Sequence, residues 1–397
     1  MAHLRPFRAL RPNPSFAAQV AAVPYDVVDR DEAARMAEGN ALSFLHISRA
    51  EIDLPKNSDP YSQTVYDLAK QNLTRLVQNG TLLHEDKPCL YLYRLEVGGH
   101  AQTGLAATFS LQEYREGGIR RHELTRKEKE DDRTQHLTTI QAQTGPVFLA
   151  YRARAEIDAA AEKIATQKPE VDFVAVDGVR HTIWIIRETG PWVEAFRSVS
   201  RLYIADGHHR AASASRIQKR LSAESQPENF EYVMAVAFPS NQLRILPYHR
   251  LIKSTLGDPW PAIRERFVVS ENASDQPEKG QFAMYYQKKW WNLKAKQTAS
   301  GDVVTRLDAS VLQNMLLKPV FGIEDPRTDK RIDFVGGSRG TRELQRRVDS
   351  GDAVLAIAMH PTSMEELLEV SDAGQIMPPK STWFEPKLRD GLLSHWI

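Results

Sequence analysis

Five consecutive residues, Asp206-Gly207-His208-His209-Arg210, lie between an apolar run, Leu202-Tyr203-Ile204-Ala205, and a stretch in which Ala211, Ala214, Ile217 and Leu221 recur at helical spacing. A strand, a tight turn and a helix are predicted, with Gly207 at the turn, where the missing Cβ lets the backbone bend sharply and approach a ligand closely. The free N–H groups at such a helix start form an anion site, which the helix dipole strengthens. Two imidazoles and a guanidinium beside them suit phosphate oxygens. Arg210 offers a planar fork, and the dipole favours neutral imidazoles that donate one N–H each. Asp206 is placed either to cap the helix or to hold Mg²⁺ against a phosphate. Adjacent helical side chains point about 100° apart, so His208 and His209 cannot share one ion, and zinc is not expected. The bland alternative is a helix start decorated with solvated polar residues.

A second group is Arg120-Arg121-His122-Glu123-Leu124-Thr125 and the charged run that follows it. Thr125 and Glu128 have the spacing of a capping box, which predicts a helix from there to Gly145 and leaves Glu123 in the loop outside it. Flanked by Arg121 and His122, Glu123 is either a general base or one half of a surface salt bridge. The acids Glu128, Glu130, Asp131 and Asp132 fall in the first two turns, where the dipole favours them, and read as a solvated face. Two further basic clusters, Asp325 to Phe334 and Pro378 to Arg389, contain Arg331 and Lys380. Each either supplies cations to a phosphorylated ligand or docks domains. Neither GxxxxGK[ST] nor GxGxxG occurs, so the standard mononucleotide and dinucleotide folds lose support.

The elements that must position these groups belong to a chain of 397 residues, which at roughly 150 residues per domain predicts two or three domains. Apolar residues make up 42% and charged residues 26%, the balance of a folded globular protein rather than a disordered one. With 52 basic against 51 acidic side chains, no global field draws nucleic acid or anionic lipid, so anion chemistry has to be local. Cys89 is the only cysteine. That excludes disulfides within the chain, cysteine-rich zinc sites and redox pairs, and fits a reducing compartment. No apolar run is long enough for a membrane span and the opening residues lack a signal-peptide core, so a cytoplasmic location is expected.

Over residues 1–110 the patterns predict a helix at 31–38 capped by Asp29 or Asp31, a helix at 61–78 stopped by Asn79-Gly80, and a hairpin of 90–97 and 102–111 about Gly98-Gly99. Over 111–250, strands at 146–151, 181–186, 202–205 and 232–238 alternate with helices at 156–167 and 208–221. The remainder reads as a helix at 308–317, a glycine-rich turn at 336–340, a strand at 353–359 and a helix at 364–371. The expected fold class is mixed α/β (α+β). It comprises an N-terminal α/β region, 1–110, a phosphate-binding core, 111–250, and a C-terminal α/β region with a basic tail, 251–397.

Over nearly its whole length the chain resembles a bacterial and archaeal family known only as a domain of unknown function. The matching stretches are Phe7-Arg8-Ala9-Leu10-Arg11-Pro12, Pro24-Tyr25-Asp26-Val27-Val28, Lys129-Glu130-Asp131-Asp132-Arg133, Ala205 to Arg210, and Pro378-Pro379-Lys380-Ser381-Thr382. More narrowly, two segments are similar to the free serine kinases, which share a fold with ParB and sulfiredoxin. Asp206 to Arg210 match the turn with which those kinases hold nucleotide phosphates. His122-Glu123 match the pair whose glutamate acts as base on the serine hydroxyl. The order along the chain agrees, but the two motifs stand roughly 80 residues apart, which implies an insertion around 151–200.

The resemblance implies a ParB/sulfiredoxin-like central domain and a phosphotransferase. Glu123, with His122, would act on a small hydroxyl acceptor such as free serine, or in reverse on phosphoserine. Asp206, Gly207, His208, His209 and Arg210, joined by Arg331 and Lys380, would hold the phosphates of ATP, ADP or pyrophosphate, with Mg²⁺ at Asp206. The expected partner is a small molecule, not nucleic acid or a membrane, and a homodimer is left open. The rival expectation is a nucleotide-binding regulator in the manner of ParB, without turnover of a small molecule.

Overall fold

The structure is a computed structural model that describes residues 2–221, 228–271, 274–297 and 301–397. Two compact units divide the chain: Met1–Leu243 with Pro386–Ile397, and Arg244–Glu385.

In the first unit, the hairpin Leu90–Val97 and His100–Ser110 forms as expected. Gly98 and Gly99 take φ of +56° and +77°, the left-handed pair that a two-residue hairpin turn needs if its twist is to match that of the strands. Around it a mixed sheet runs in the order Ile119–Arg120, Leu202–Asp206, Val147–Tyr151, Tyr232–Pro239, His100–Ser110, Leu90–Val97, Arg180–Ile186, Val171–Val174, and Leu4–Arg5 pairs with His100–Ser110. Leu92, Leu105, Ala107, Phe109, Leu149 and Ala235 pack on one face against Ile157, Trp192, Phe196 and Ile217 from the covering helices.

This sheet overturns a boundary near residue 110. Ala107 pairs with Ala235 and Ala106 with Val236, so strands from both sides of that boundary are hydrogen-bonded neighbours and cannot belong to separate cores. The residues between 151 and 200 are also absorbed. Ala155–Ala165 and Gly190–Phe196 are helices, and Val171–Val174 and Arg180–Ile186 extend the sheet beyond Leu90–Val97.

Helix Arg30–Ala37 is capped by Asp29 in a reciprocal box with Glu32. Helix Gln63–Gln78 buries Val65, Ala69, Leu73 and Leu76 in a second core with Leu10, Phe44, Ile47 and Ile140. Residues 386–397 return to this unit, where Ser394–Trp396 pairs with Ala9–Pro12 on one side and Ala142–Gln143 on the other.

The second unit is an antiparallel sheet in the order Phe267–Glu271, Lys289–Ala295, Gln281–Tyr286, Leu355–Met359, Tyr248–Ile252, Ile332–Gly336. Phe282, Met284, Leu312, Phe321 and Ile357 form its main core. The helix expected at 308–317 runs as Asp308–Leu312, a π-helical turn Gln313–Leu317, and Lys318–Phe321. Of the glycine-rich turn, Gly336 ends a strand against the Trp383 ring, where a Cβ would stand only 2.7 Å from ring carbon.

Candidate functional site

Leu202–Asp206 runs antiparallel to Val147–Tyr151 and breaks register between Ile204 and Asp206. Gly207 follows with φ of +91°, and the Arg210 guanidinium folds back over it, so a Cβ at 207 would meet Nε at 3.0 Å and Cζ at 3.1 Å. Glycine is thus required twice, by the backbone angle and by the close guanidinium. The Ala211 N–H donates to the Gly207 carbonyl at 3.0 Å. The N–H groups of His208, His209 and Arg210 are therefore those of a first turn, which have no intrahelical acceptor.

Asp206 does not cap this helix through the expected contact. Its carboxylate accepts from Arg210 Nη2 at 3.2 Å and lies 3.5 Å from Lys387 Nζ. Burial pushes its pKa up, but Lys387 and Arg210 outweigh that and hold the carboxyl well below the usual carboxylate range. An acid already engaged by two cations is a poor Mg²⁺ ligand, because the hard cation would have to displace both. Arg210 Nη1 also donates to the Pro146 carbonyl.

Burial disfavours the charged form of both histidines. His209 Nε2 accepts the Arg126 N–H at 3.1 Å, which places its proton on Nδ1, and burial lowers its pKa. His208 is 5% exposed, its Nε2 is buried without a hydrogen-bond partner, and its ring meets that of His122 edge to face. His122 is also buried. Loss of solvent drives it down to about 4, against a hydrogen bond with the Ile204 backbone that favours its charged form.

Ligand atoms of His122, Glu123 and His208 all lie within 4.8 Å of one another. The fold therefore brings the His122-Glu123 pair to the Asp206–Arg210 turn. It also corrects the metal argument made from adjacent histidines. His208 does not need His209 as a co-ligand, because His122 and Glu123 supply two donors from another segment. This nitrogen, nitrogen, oxygen set suits a transition metal better than Mg²⁺.

The helix after Glu123 spans Lys127–Ile140 and has no side-chain cap, because the Thr125 hydroxyl donates to Glu130 at 3.1 Å instead of serving the expected box. It ends before Gly145, with Gln141 in the left-handed conformation. The solvated-face expectation fails for Asp132, which is buried and accepts from Arg133 at 2.9 Å and from the Tyr66 hydroxyl at 3.0 Å.

Alongside Arg210 a narrow cleft is lined by Tyr25, Arg133, Gly145, Ser213 and Asp390 among others. The Arg133 guanidinium stands 4.0 Å from the Tyr25 ring centroid. Burial raises the Asp390 carboxyl to about 7, although Arg210 and Arg133 pull it down. Gly145 leaves room for that carboxyl, since a Cβ there would stand 2.7 Å from Oδ1. Tyr25, Arg133, Lys387 and Asp390 were missed as site residues. Three lay in stretches already singled out, yet only the fold carries them to the turn.

Arg331 and Lys380 lie in the second unit. Arg331 pairs with Asp329 at 2.6 Å and donates to the carbonyls of Phe321 and Gly322, so its fork is occupied in fastening a loop. Lys380 Nζ is 3.3 Å from the Tyr248 hydroxyl. Among the described residues, no helix is long and apolar enough to cross a membrane.

The profile of a family described as "Protein of unknown function (DUF1015)" matches residues 4–310. No curated protein matches the chain. Among solved structures, a free serine kinase in complex with AMP is similar over 74% of this chain and 91% of its own, at 15% identity and a TM-score of 0.39. A conserved hypothetical protein from Pyrococcus furiosus is similar over 72% and 94%, at 17% identity and a TM-score of 0.37. C-terminally truncated SbnI from Staphylococcus aureus is similar over 72% and 85%, at 12% identity and a TM-score of 0.38.

Proposed function

We propose that this chain, which belongs to the DUF1015 family, is a phosphotransferase acting between a nucleotide or pyrophosphate and the hydroxyl of a small acceptor. Free serine is the acceptor in one direction and phosphoserine the donor in the other. The observation that carries this reading is the meeting of Glu123 with His208 at the opening of the His208–Leu221 helix. A base and a phosphate cradle must adjoin for such a transfer, and the nearness of Glu123 to His208, far apart in the chain, supports that reading.

In this mechanism the backbone N–H groups of His208, His209 and Arg210 and the His209 Nδ1–H bind phosphate oxygens. Arg210 is anchored by Asp206 and Pro146 and adds fixed positive charge. Lys387 offsets Asp206, so the local charge at the turn stays cationic. In a loose transition state most of the catalysis comes from such preset positioning and charge. Glu123 takes the hydroxyl proton as the oxygen attacks the donor's terminal phosphorus, whose bond to the bridging oxygen breaks to release the shortened nucleotide or phosphate; in the reverse direction Glu123 returns the proton to the serine oxygen as it departs. His122, sealed beneath His208, positions that carboxylate rather than exchanging protons with solvent. Asp206 does not fit as a Mg²⁺ ligand, and no step is assigned to that ion.

Phosphorus NMR of the protein with serine, Mg²⁺ and ATP, ADP or pyrophosphate in turn tests the proposal. A phosphoserine signal with at least one donor, abolished by Glu123→Gln, is expected. Nucleotide binding without phosphoserine from any donor would turn the assignment to a ParB-like regulator.

A further inference from the structure

We infer that the second unit holds a site of its own for a small phosphate-class anion, formed by Arg250 and Lys380 around the pocket beneath Tyr248. It is independent of the chemistry assigned to Glu123.

Arg250 lies in a central strand, paired with Phe334 on one side and Ile357 on the other, and is 3% exposed. Burying a guanidinium is costly unless its charge is met by a partner. Here Nη1 donates to the Tyr248 carbonyl at 2.8 Å and the group lies 4.8 Å from the Phe334 ring centroid. Among the described residues no carboxylate pairs with it, and burial pushes its pKa down to about 10. A guanidinium has five N–H donors, so most of its capacity is left for something else.

Arg250 shares the lining of a narrow pocket with Lys279, His360, Lys380 and Ser381. The acids in its wall are already engaged. Glu366 pairs with Lys279 at 2.7 Å, and Asp308 accepts the Gly280 N–H at 3.1 Å and is pushed up by burial. Arg250 and Lys380 remain without a carboxylate among the described residues.

Lys380 is also held in an unfavourable backbone state, with φ of +58°. A non-glycine residue is strained there. The loop enforces it, because the Ser381 hydroxyl donates to the Pro378 carbonyl at 2.7 Å and the Thr362 hydroxyl to the Ser381 carbonyl at 2.9 Å. The result sets the Lys380 ammonium 5.2 Å from the Tyr248 ring centroid, at the same pocket as Arg250. A forked donor and an ammonium together outnumber the two oxygens of a carboxylate and match the oxygens of a phosphate.

The test is calorimetric titration of the full chain with inorganic phosphate, pyrophosphate and phosphoserine, using acetate as the carboxylate control. One phosphate-binding event should weaken by about tenfold or more in Lys380→Ala, and again in Arg250→Met. Nucleotide binding at the Asp206–Arg210 turn should be unchanged in both. The anion that binds tightest identifies the source. Lys380 is exposed, so its variant stays informative even where Arg250→Met fails to fold. Phosphate affinity unchanged in Lys380→Ala, or acetate binding as tightly as phosphate, would overturn the inference. Absence of phosphoryl transfer alone would overturn the preceding proposal and leave this one standing.

Discussion

The ring of His208 meets that of His122 edge to face, with centroids 4.6 Å apart. This contact ties the loop that carries Glu123 to the helix that follows the Asp206–Arg210 turn. Both imidazoles are buried and held neutral, so they set the distance between Glu123 and the turn without adding charge to either.

Replacing Glu123 by Gln keeps the shape and removes the proton acceptor. Phosphoserine formation should fall by about 10²- to 10⁴-fold in kcat, while donor affinity, measured by equilibrium dialysis, stays within about twofold. A rate within about tenfold of the wild type would deny Glu123 this role.

Gly207→Ala forces a side chain onto a φ of +91° and against the Arg210 guanidinium. A cost of about 1–3 kcal/mol is expected, seen as a lower Tm, together with weaker donor binding as Arg210 is pushed aside. Unchanged donor affinity would show that the turn does not hold the phosphates.

Asp132 is the carboxylate that meets Arg133 beside the cleft. Asp132→Asn leaves a buried guanidinium uncompensated and should cost about 3–5 kcal/mol in urea denaturation. Adding Arg133→Met should recover part of that loss. Additive destabilisation of the two changes would show the pair to be uncoupled.

Asp390 supplies a pH signature. Its carboxyl titrates near 7 in the folded protein against about 3.9 in an unfolded chain. The folded state therefore keeps a proton that the unfolded state releases. The stability linked to this group is fully present below about pH 4 and is lost as pH rises through about 7, by an amount on the order of a few kcal/mol. Denaturation of wild type and Asp390→Asn across that window should show their difference changing in this sense. Parallel stability curves would count against a raised carboxyl at 390.

The local elements were legible because local rules decide them. Gly98-Gly99 set the hairpin, Asp29 with Glu32 set a helix start, and the spacing of Ala211, Ala214 and Ile217 set the helix behind the turn. The two segments of the site were legible as residue types. Their meeting was not, since periodicity carries no information about which strand lies beside which. The capping box at Thr125 failed because Glu130, and not Glu128, takes the hydroxyl. Asp132 looked solvated because its partner Tyr66 comes from another helix. Lys387 and Asp390 stayed hidden for a similar reason: a tail rich in proline and bases gives no sign of where it docks.

That docking orders events during synthesis. The sheet of the first unit and its turn leave the ribosome early, yet Lys387, Asp390 and the strand Ser394–Trp396 emerge only after the whole of the second unit. Until then Asp206 lacks one of its two cations, and Ala9–Pro12 and Ala142–Gln143 lack the strand that joins them. A nascent chain stalled before residue 386 can carry a nearly finished first unit, but its Asp206–Arg210 turn gains the last of its partners only once translation has passed that point.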